Sequence, residues 1–279
     1  MYILILVKRR NFSKMNKEQP IGIFDSGLGG LTIFKALKKL LPEESLIYFG
    51  DSAHVPYGSK SKETVTRFSL EIAKFLESKN IKLLIIACNT ASALALKEVE
   101  KNVSVPVIGV ITPGAQQAVK KTKNKHIAVI GTEATVNSKA YRSALQKINK
   151  KLSVIETACP LFVPLIEEGF IGGKAADLVI EKYLKNIKNS KSDTLILGCT
   201  HYPVIKKDIQ KYLGPRVALI DSADAVALTA KEMLASKNLL ADKKAVYSVY
   251  ASDAPERFGQ KAQKVLGLKI KKVLLKKFA

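Results

Sequence analysis

Apolar residues along this chain gather into short, nearly unbroken runs: "IGIFD", "SLIYFGD", "KLLIIAC", "VPVIGV", "HIAVIG", "LSVIETA", "DTLILGC" and "VALIDSA". Runs of this length, bounded by Gly, Asp or Cys, predict parallel strands covered on both faces. Between them the period changes. "SKETVTRFSLEIAKFLESKN" sets Val65, Phe68, Ile72, Phe75 and Leu76 on one helix face, with Ser61 as its cap, and "SADAVALTAKEMLASKN" predicts a second helix. Strands alternating with helices give an α/β fold built on parallel sheets. No low-complexity linker interrupts the pattern.

Two of the runs resemble each other beyond their hydropathy. "LLIIACNTAS" and "TLILGCTHYP" each end in a small residue, a cysteine and hydrogen-bonding residues. Each predicts a strand turning into a helix, with the cysteine at the strand's carboxyl end, the edge where open α/β sheets bind ligands. The pair suggests an internal repeat whose two halves face each other across a cleft.

Composition narrows the class. The 279 residues are 47% hydrophobic and 25% charged, which is ordinary for a globular protein with a real core. Three cysteines (Cys88, Cys159, Cys199) and three histidines, without close spacing, predict neither a disulfide framework nor a metal site. The apolar stretch from Tyr2 to Val7 is too short to span a membrane, and Lys8, Arg9 and Arg10 follow it where a secretory signal would place basic residues first. A cytoplasmic protein with no membrane partner is expected. The formal charge of +22 allows a nucleic-acid partner, but the lysines are scattered as on solvated helix faces, so that partner is not favoured.

Three stretches carry candidate chemistry. "IGIFDSGLGGLTIFKAL" runs from a strand through Asp25, Ser26 and three glycines into a helix. Such a turn can offer backbone N–H groups to an anion, or can be a tight structural turn. A dinucleotide fingerprint is excluded, because the sixth place counted from Gly27 is Thr32. "YFGDSAHVPYGSKS" brings a loop with Pro56, Tyr57 and Gly58. The cysteines carry more. A thiol where a strand meets a helix N-terminus can have its pKa lowered by the dipole. One such cysteine usually packs as a small hydrophobe; two in matching contexts, followed by Asn89 and Thr90 and by Thr200 and His201, suggest a working pair. Cys159, followed by Pro160, reads as structural. Two thiols flanking one substrate suit removal of a proton from one face of a carbon and delivery to the other.

The set "GIFDSGLGGLT", "GDSAHVPYGSKS", "ACNTASA", "GVITPGA", "GTEATVNS", "CPLFVPLIEEG" and "LGCTHYP" closely resembles bacterial glutamate racemases over residues 21 to about 224. The resemblance implies a cofactor-independent racemase that interconverts L- and D-glutamate, the latter feeding peptidoglycan synthesis. It makes Cys88 and Cys199 the acid/base thiols, with Asp25 and His201 assisting one each. Ser26, Pro56, Tyr57, Gly58, Asn89, Thr90 and Thr200 fall on substrate-contacting positions, as do Asp25 and His201; Thr132, Thr135 and Glu167 are further pocket positions. It implies two α/β domains related by a pseudo-twofold axis with the active site between them, residues 21–112 plus 225–279 and residues 113–224, and a homodimer is expected. Residues 1–20 are expected to be an unordered extension or a misassigned start, with Met15 the initiator.

Other readings stay open at this stage. An aspartate racemase of the same superfamily would handle a substrate one methylene shorter, a difference worth roughly 1–3 kcal/mol. A pyridoxal-phosphate racemase would need a Schiff-base lysine, and no lysine here has a diagnostic setting. A nucleic-acid-binding or topoisomerase-regulating role would rest on the charge alone.

Overall fold

The structure, a computed structural model, describes residues 15–278. All eight predicted runs form strands: β1 (Ile21–Asp25), β2 (Leu46–Gly50), β3 (Leu83–Ile86), β4 (Val107–Gly109), β5 (His126–Gly131), β6 (Ser153–Ala158), β7 (Thr194–Gly198) and β8 (Ala218–Ile220). Two more, β9 (Tyr247–Ala251) and β10 (Val273–Leu275), lie beyond residue 224, where the quoted motifs end. Among the described residues the strands form two sheets, in the orders β10-β9-β2-β1-β3-β4 and β6-β5-β7-β8. Every pairing in them is parallel.

The two orders contain one arrangement twice. Read as 2-1-3-4 and 6-5-7-8, β1 corresponds to β5 and β3 to β7, so the strands that end at Cys88 and Cys199 hold equivalent places. β9 and β10 extend only the first sheet, and they return to it after the chain has completed the second.

The helices follow from the same patterning. Helix α1 (Leu31–Leu40) buries Leu31, Ile33, Phe34 and Leu37, and α2 (Lys62–Glu77) starts at Ser61, whose side chain accepts from the Thr64 N–H as the sequence predicts. Next come α3 (Asn89–Leu94), α4 (Leu96–Asn102), α5 (Ile111–Lys121), α6 (Glu133–Asn137), α7 (Ala140–Ile148), α8 (Phe162–Glu167), α9 (Gly173–Lys188), α10 (Lys206–Leu213), α11 (Ala223–Ala235) and α12 (Pro255–Leu266). No described helix is long and apolar enough to cross a membrane.

The buried residues divide by strand face. Ile21, Ile23, Leu83 and Ile85 of the first sheet share one core with Ile127, Val129 and Ile196 of the second, around α1, α5, α7 and α11. Their neighbours Phe24, Leu84 and Ile86, and likewise Ala128, Ile130 and Leu197, point the other way into two outer cores. Burying an aliphatic side chain contributes about 1.5–3 kcal/mol, so the shared core couples the two sheets strongly. It also fixes how their carboxyl edges meet.

The expected extension over 1–20 is described only from Met15, since residues 1–14 lie outside the described residues. Residues 15–20 are tied to the body. Gln19 donates to Asn80 Oδ1 at 2.6 Å, Lys17 pairs with Asp242, and the Lys17 carbonyl accepts from buried Lys82.

Candidate active site

Both cysteines sit one or two residues past a buried strand and line a narrow pocket between the sheets' carboxyl edges. Ser26, Pro56, Tyr57, Gly58, Asn89, Thr90, Thr132, Thr200 and His201 line it too, with Val163 as an apolar wall. Asp25, Thr135 and Glu167 do not line this pocket; each stands behind a residue that does.

The first corner is built by the β1 and β3 turns. Cys88 caps α3, its sulfur accepting from the Ala91 N–H at 3.5 Å, and its thiol donates to Ser26 Oγ at 3.7 Å. Asp25, fully buried, accepts from the Gly27 N–H at 3.0 Å and from the Thr200 hydroxyl at 3.2 Å. Burial pushes the Cys88 thiol up to about 12, with the Asp25 charge acting in the same direction. Burial also raises the Asp25 carboxyl, against the opposing pull of His201 and the bonds from Gly30, Gly27 and Thr200. The helix-dipole expectation of a lowered thiol is therefore corrected at Cys88. Loss of water and a neighbouring carboxylate outweigh one short helix terminus.

The second corner is electrically different. After Cys199 the chain passes through a 3-10 helix (Tyr202–Ile205) before the predicted helix begins as α10 at Lys206. His201 Nδ1 stands 3.9 Å from the Cys199 sulfur, and Nε2 lies 2.9 Å from Glu167 Oε1. Burial lowers the His201 pKa, but its bonds to Cys199 and Glu167 overcome that and hold it at about 10. Glu167 is raised by burial and lowered more by His201 and Lys261, which leaves it at about 2. This corner holds a buried imidazolium where the first holds a buried carboxyl.

Between the corners lies a polar floor. Thr90 Oγ1 is 2.9 Å from Thr132 Oγ1 and 3.3 Å from Thr135 Oγ1, which joins the two sheets through hydroxyls. Tyr141 donates to Asn89 Oδ1 at 2.6 Å, while Asn89 Nδ2 is buried without a partner. Leaving a buried donor unpaired costs about 1–3 kcal/mol. This amide is therefore poised for a ligand acceptor. Tyr57, on the pocket wall, is held by donation to Asp51 Oδ2 at 2.5 Å, and Asp51 also accepts from Ser252 Oγ at 2.6 Å.

Two glycines let the halves touch. A Cβ on Gly29 would stand 2.2 Å from Thr200 Oγ1, and one on Gly58 would stand 2.6 Å from Thr132 Cβ. Cys159 is buried in the same outer core as Phe162 and Ile180 and does not line the pocket. Among the described residues no three His, Cys, Asp or Glu side chains are grouped to hold a metal ion.

Sequence reading missed Asp51, Tyr141 and Lys261. Asp51 lies inside the quoted "GDSAHVPYGS" stretch, next to residues that were singled out. Tyr141 and Lys261 lie on amphipathic helices and carry no local signal.

Comparison with known proteins adds to this geometry. A family model described as Asp/Glu/Hydantoin racemase matches residues 30–230. The chain is 48% identical over 254 residues to the glutamate racemase of Geobacter metallireducens, covering 90% of this chain and 94% of that one. Its fold is similar to crystal structures of the glutamate racemase isoform RacE1 from Bacillus anthracis and of the glutamate racemase from Francisella tularensis in complex with D-glutamate. The first has a TM-score of 0.90 at 36% identity and covers 95% of this chain and 98% of that one. The second has a TM-score of 0.88 at 40% identity and covers 93% and 98%.

Proposed function

The chain belongs to the glutamate racemases of the Asp/Glu/hydantoin racemase family, and from that premise we propose that it interconverts L- and D-glutamate by proton transfer between two thiols. In this reading the Cys199 thiolate takes the α-proton of L-glutamate, and the electron pair of the broken C–H bond spreads into the α-carboxylate. Cys88 delivers its thiol proton to the opposite face. The product is D-glutamate, with Cys199 now protonated and Cys88 a thiolate, and exchange with water resets the pair. The reverse direction exchanges the two roles, and no cofactor is required.

The local charges support this assignment. Cys88, held up at about 12, rests as the thiol that an acid must be. His201, held at about 10, supplies a cation beside Cys199. The unpartnered Asn89 amide and the hydroxyls of Thr90, Thr132 and Thr200 line the space where a carboxylate gaining charge would lie. Donors fixed in advance around a desolvated anion stabilise a transition state more than water does.

The observation that carries the reading is the pairing of two buried free thiols, from equivalent strands of two sheets, on one pocket. The test is racemisation by purified protein with no added cofactor, started from L-glutamate in heavy water. Early D-glutamate is expected to carry deuterium while remaining L-glutamate stays unlabelled. Retention of the original hydrogen in early product would sink the two-thiol mechanism.

The same reading takes residues 21–112 with 225–279 as one domain and 113–224 as the other. It extends to a cytoplasmic homodimer whose D-glutamate supplies peptidoglycan synthesis.

A further inference from the structure

The Glu167 carboxylate has two oxygens and two partners, from different parts of the chain. Oε1 faces His201 Nε2 at 2.9 Å, and Oε2 accepts from Lys261 Nζ at 3.0 Å. Glu167 ends α8, which belongs with the four-stranded sheet. Lys261 sits in the middle of α12, between β9 and β10 of the six-stranded sheet. A continuous chain therefore runs from one half of the molecule to the thiol of the other: Lys261, Glu167, His201, Cys199.

The surroundings explain why Glu167 needs a second holder. It lies on the wall of an open cavity of about 370 Å³ together with Glu168, Asp253, Arg257 and Lys261. Its side chain is 15% exposed, and that of Lys261 is 26% exposed. A carboxylate facing such a space can swing toward water or toward Arg257 unless both oxygens are engaged. An ammonium at 3.0 Å restricts that rotation.

We propose that Lys261 is a positioning residue for the Cys199 half-reaction: by holding Glu167 Oε2 it aims Oε1 at His201 and so fixes the imidazole beside the Cys199 sulfur. This rests on the reading of Cys199 as one of two opposed bases. Lys261 touches no reacting atom, and its influence passes through two side chains.

Charge and position predict opposite outcomes. The groups facing this chain are Asp25 and Cys199 around His201, with Glu168, Asp253 and Arg257 around Lys261. Removing the lysine charge by itself favours the His201 imidazolium, since one cation fewer shares Glu167. A purely electrostatic role therefore predicts an unchanged or easier step at Cys199. Loss of positioning predicts a slower one, within the roughly 100-fold that a misplacement of about 1 Å can cost.

The experiment compares the native chain with Lys261→Met and Lys261→Arg, using L- and D-glutamate deuterated at the α-carbon. The enantiomers have equal free energy, so kcat/KM must fall by one factor in both directions, expected to be about tenfold for Lys261→Met. The isotope effects need not stay equal. If the Cys199 step becomes limiting, the isotope effect on kcat/KM rises for L-glutamate and falls for D-glutamate, and Lys261→Arg returns both toward the native values. Balanced isotope effects in Lys261→Met, or a shift the opposite way, overturn the proposal while leaving two-thiol racemisation intact. A structural role would lower Tm without separating the two isotope effects, and that result also overturns it. Near-normal racemisation by Cys199→Ser defeats the parent reading and this proposal together.

Discussion

Cys88 and Cys199 occupy the same place in two copies of one strand arrangement, yet their neighbours differ in charge. Beside Cys88 are a hydroxyl, a backbone N–H and a buried carboxyl. Beside Cys199 is an imidazole tied to Glu167 and Lys261. The fold sets where each sulfur stands, and the residues one layer behind set the charge that each sulfur meets. A repeated scaffold can thus place two similar groups in unlike surroundings, an asymmetry that a reaction needing an acid and a base at once can use.

The strongest way to break the comparison is to remove one thiol. Cys88→Ser and Cys199→Ser are each expected to lower racemisation by about 100-fold to 10,000-fold, the range for a positioned acid or base. Each variant should still exchange the α-proton on the face served by its remaining cysteine, which mass spectrometry in heavy water reads directly. Exchange on both faces in either variant would show that the corners are not separate.

Removing the carboxyl or imidazole probes the layer behind. Asp25→Asn and His201→Asn are each expected to lower kcat by roughly 10-fold to 100-fold with KM changed far less, because proton-handling groups act mainly in the transition state. Their isotope effects should be mirror images, Asp25→Asn slowing the Cys88 step and His201→Asn the Cys199 step. A raised KM with unchanged kcat would reassign both to substrate binding.

The corners also brace each other. Asn89, next to Cys88, is held by Tyr141 of α7, and Thr200, next to Cys199, is held by Asp25. Tyr141→Phe strips Asn89 Oδ1 of its partner and should cost about 1–3 kcal/mol of stability, with KM rising and kcat nearly kept. Denaturant melts and steady-state kinetics check both parts, and an unchanged KM would detach Asn89 from substrate binding.

The smallest effect expected is in the pH dependence of stability. His201 is raised from 6.5 to about 10, and Glu167 is lowered from 4.5 to about 2. The histidine contribution is complete below pH 6.5 and is lost as pH rises through about 10; the glutamate contribution is complete above pH 4.5 and is lost as pH falls through about 2. The Tm difference between the native chain and His201→Asn should peak between those values, from pH 4.5 to 6.5, and shrink toward pH 10. A difference that grows with pH would reverse the assignment.

The sequence made β1, β3, β5 and β7 legible because they are buried almost throughout and largely apolar, whereas β6 showed itself by its apolar start alone, since only Val154 of its six residues is buried. β9 was not legible, since "YSVYA" is half exposed at three of its five positions, and β10 is three residues set among lysines. Cys88 and Cys199 could be seen as a pair from their matching contexts alone, and the structure brings both to one pocket. The unlike charges of their neighbours could not, because Glu167 and Lys261 are 94 residues apart and a lysine on α12 looks like any solvated lysine. The +22 charge hid that lysine among many others.

The return of the C-terminal segment to the first sheet also sets an order of events during synthesis. β2 pairs with β9 in the register Ile47 with Ser248, about 200 residues apart, so the N–H and C=O groups on that side of β2 have no strand partner until almost the whole chain is made. The four-stranded sheet, closed within residues 126–220, can assemble earlier. A nascent or truncated chain ending before Tyr247 would carry a bare, apolar strand edge of the kind that recruits other chains. Loss of the tail is therefore expected to appear first as aggregation, detectable by light scattering.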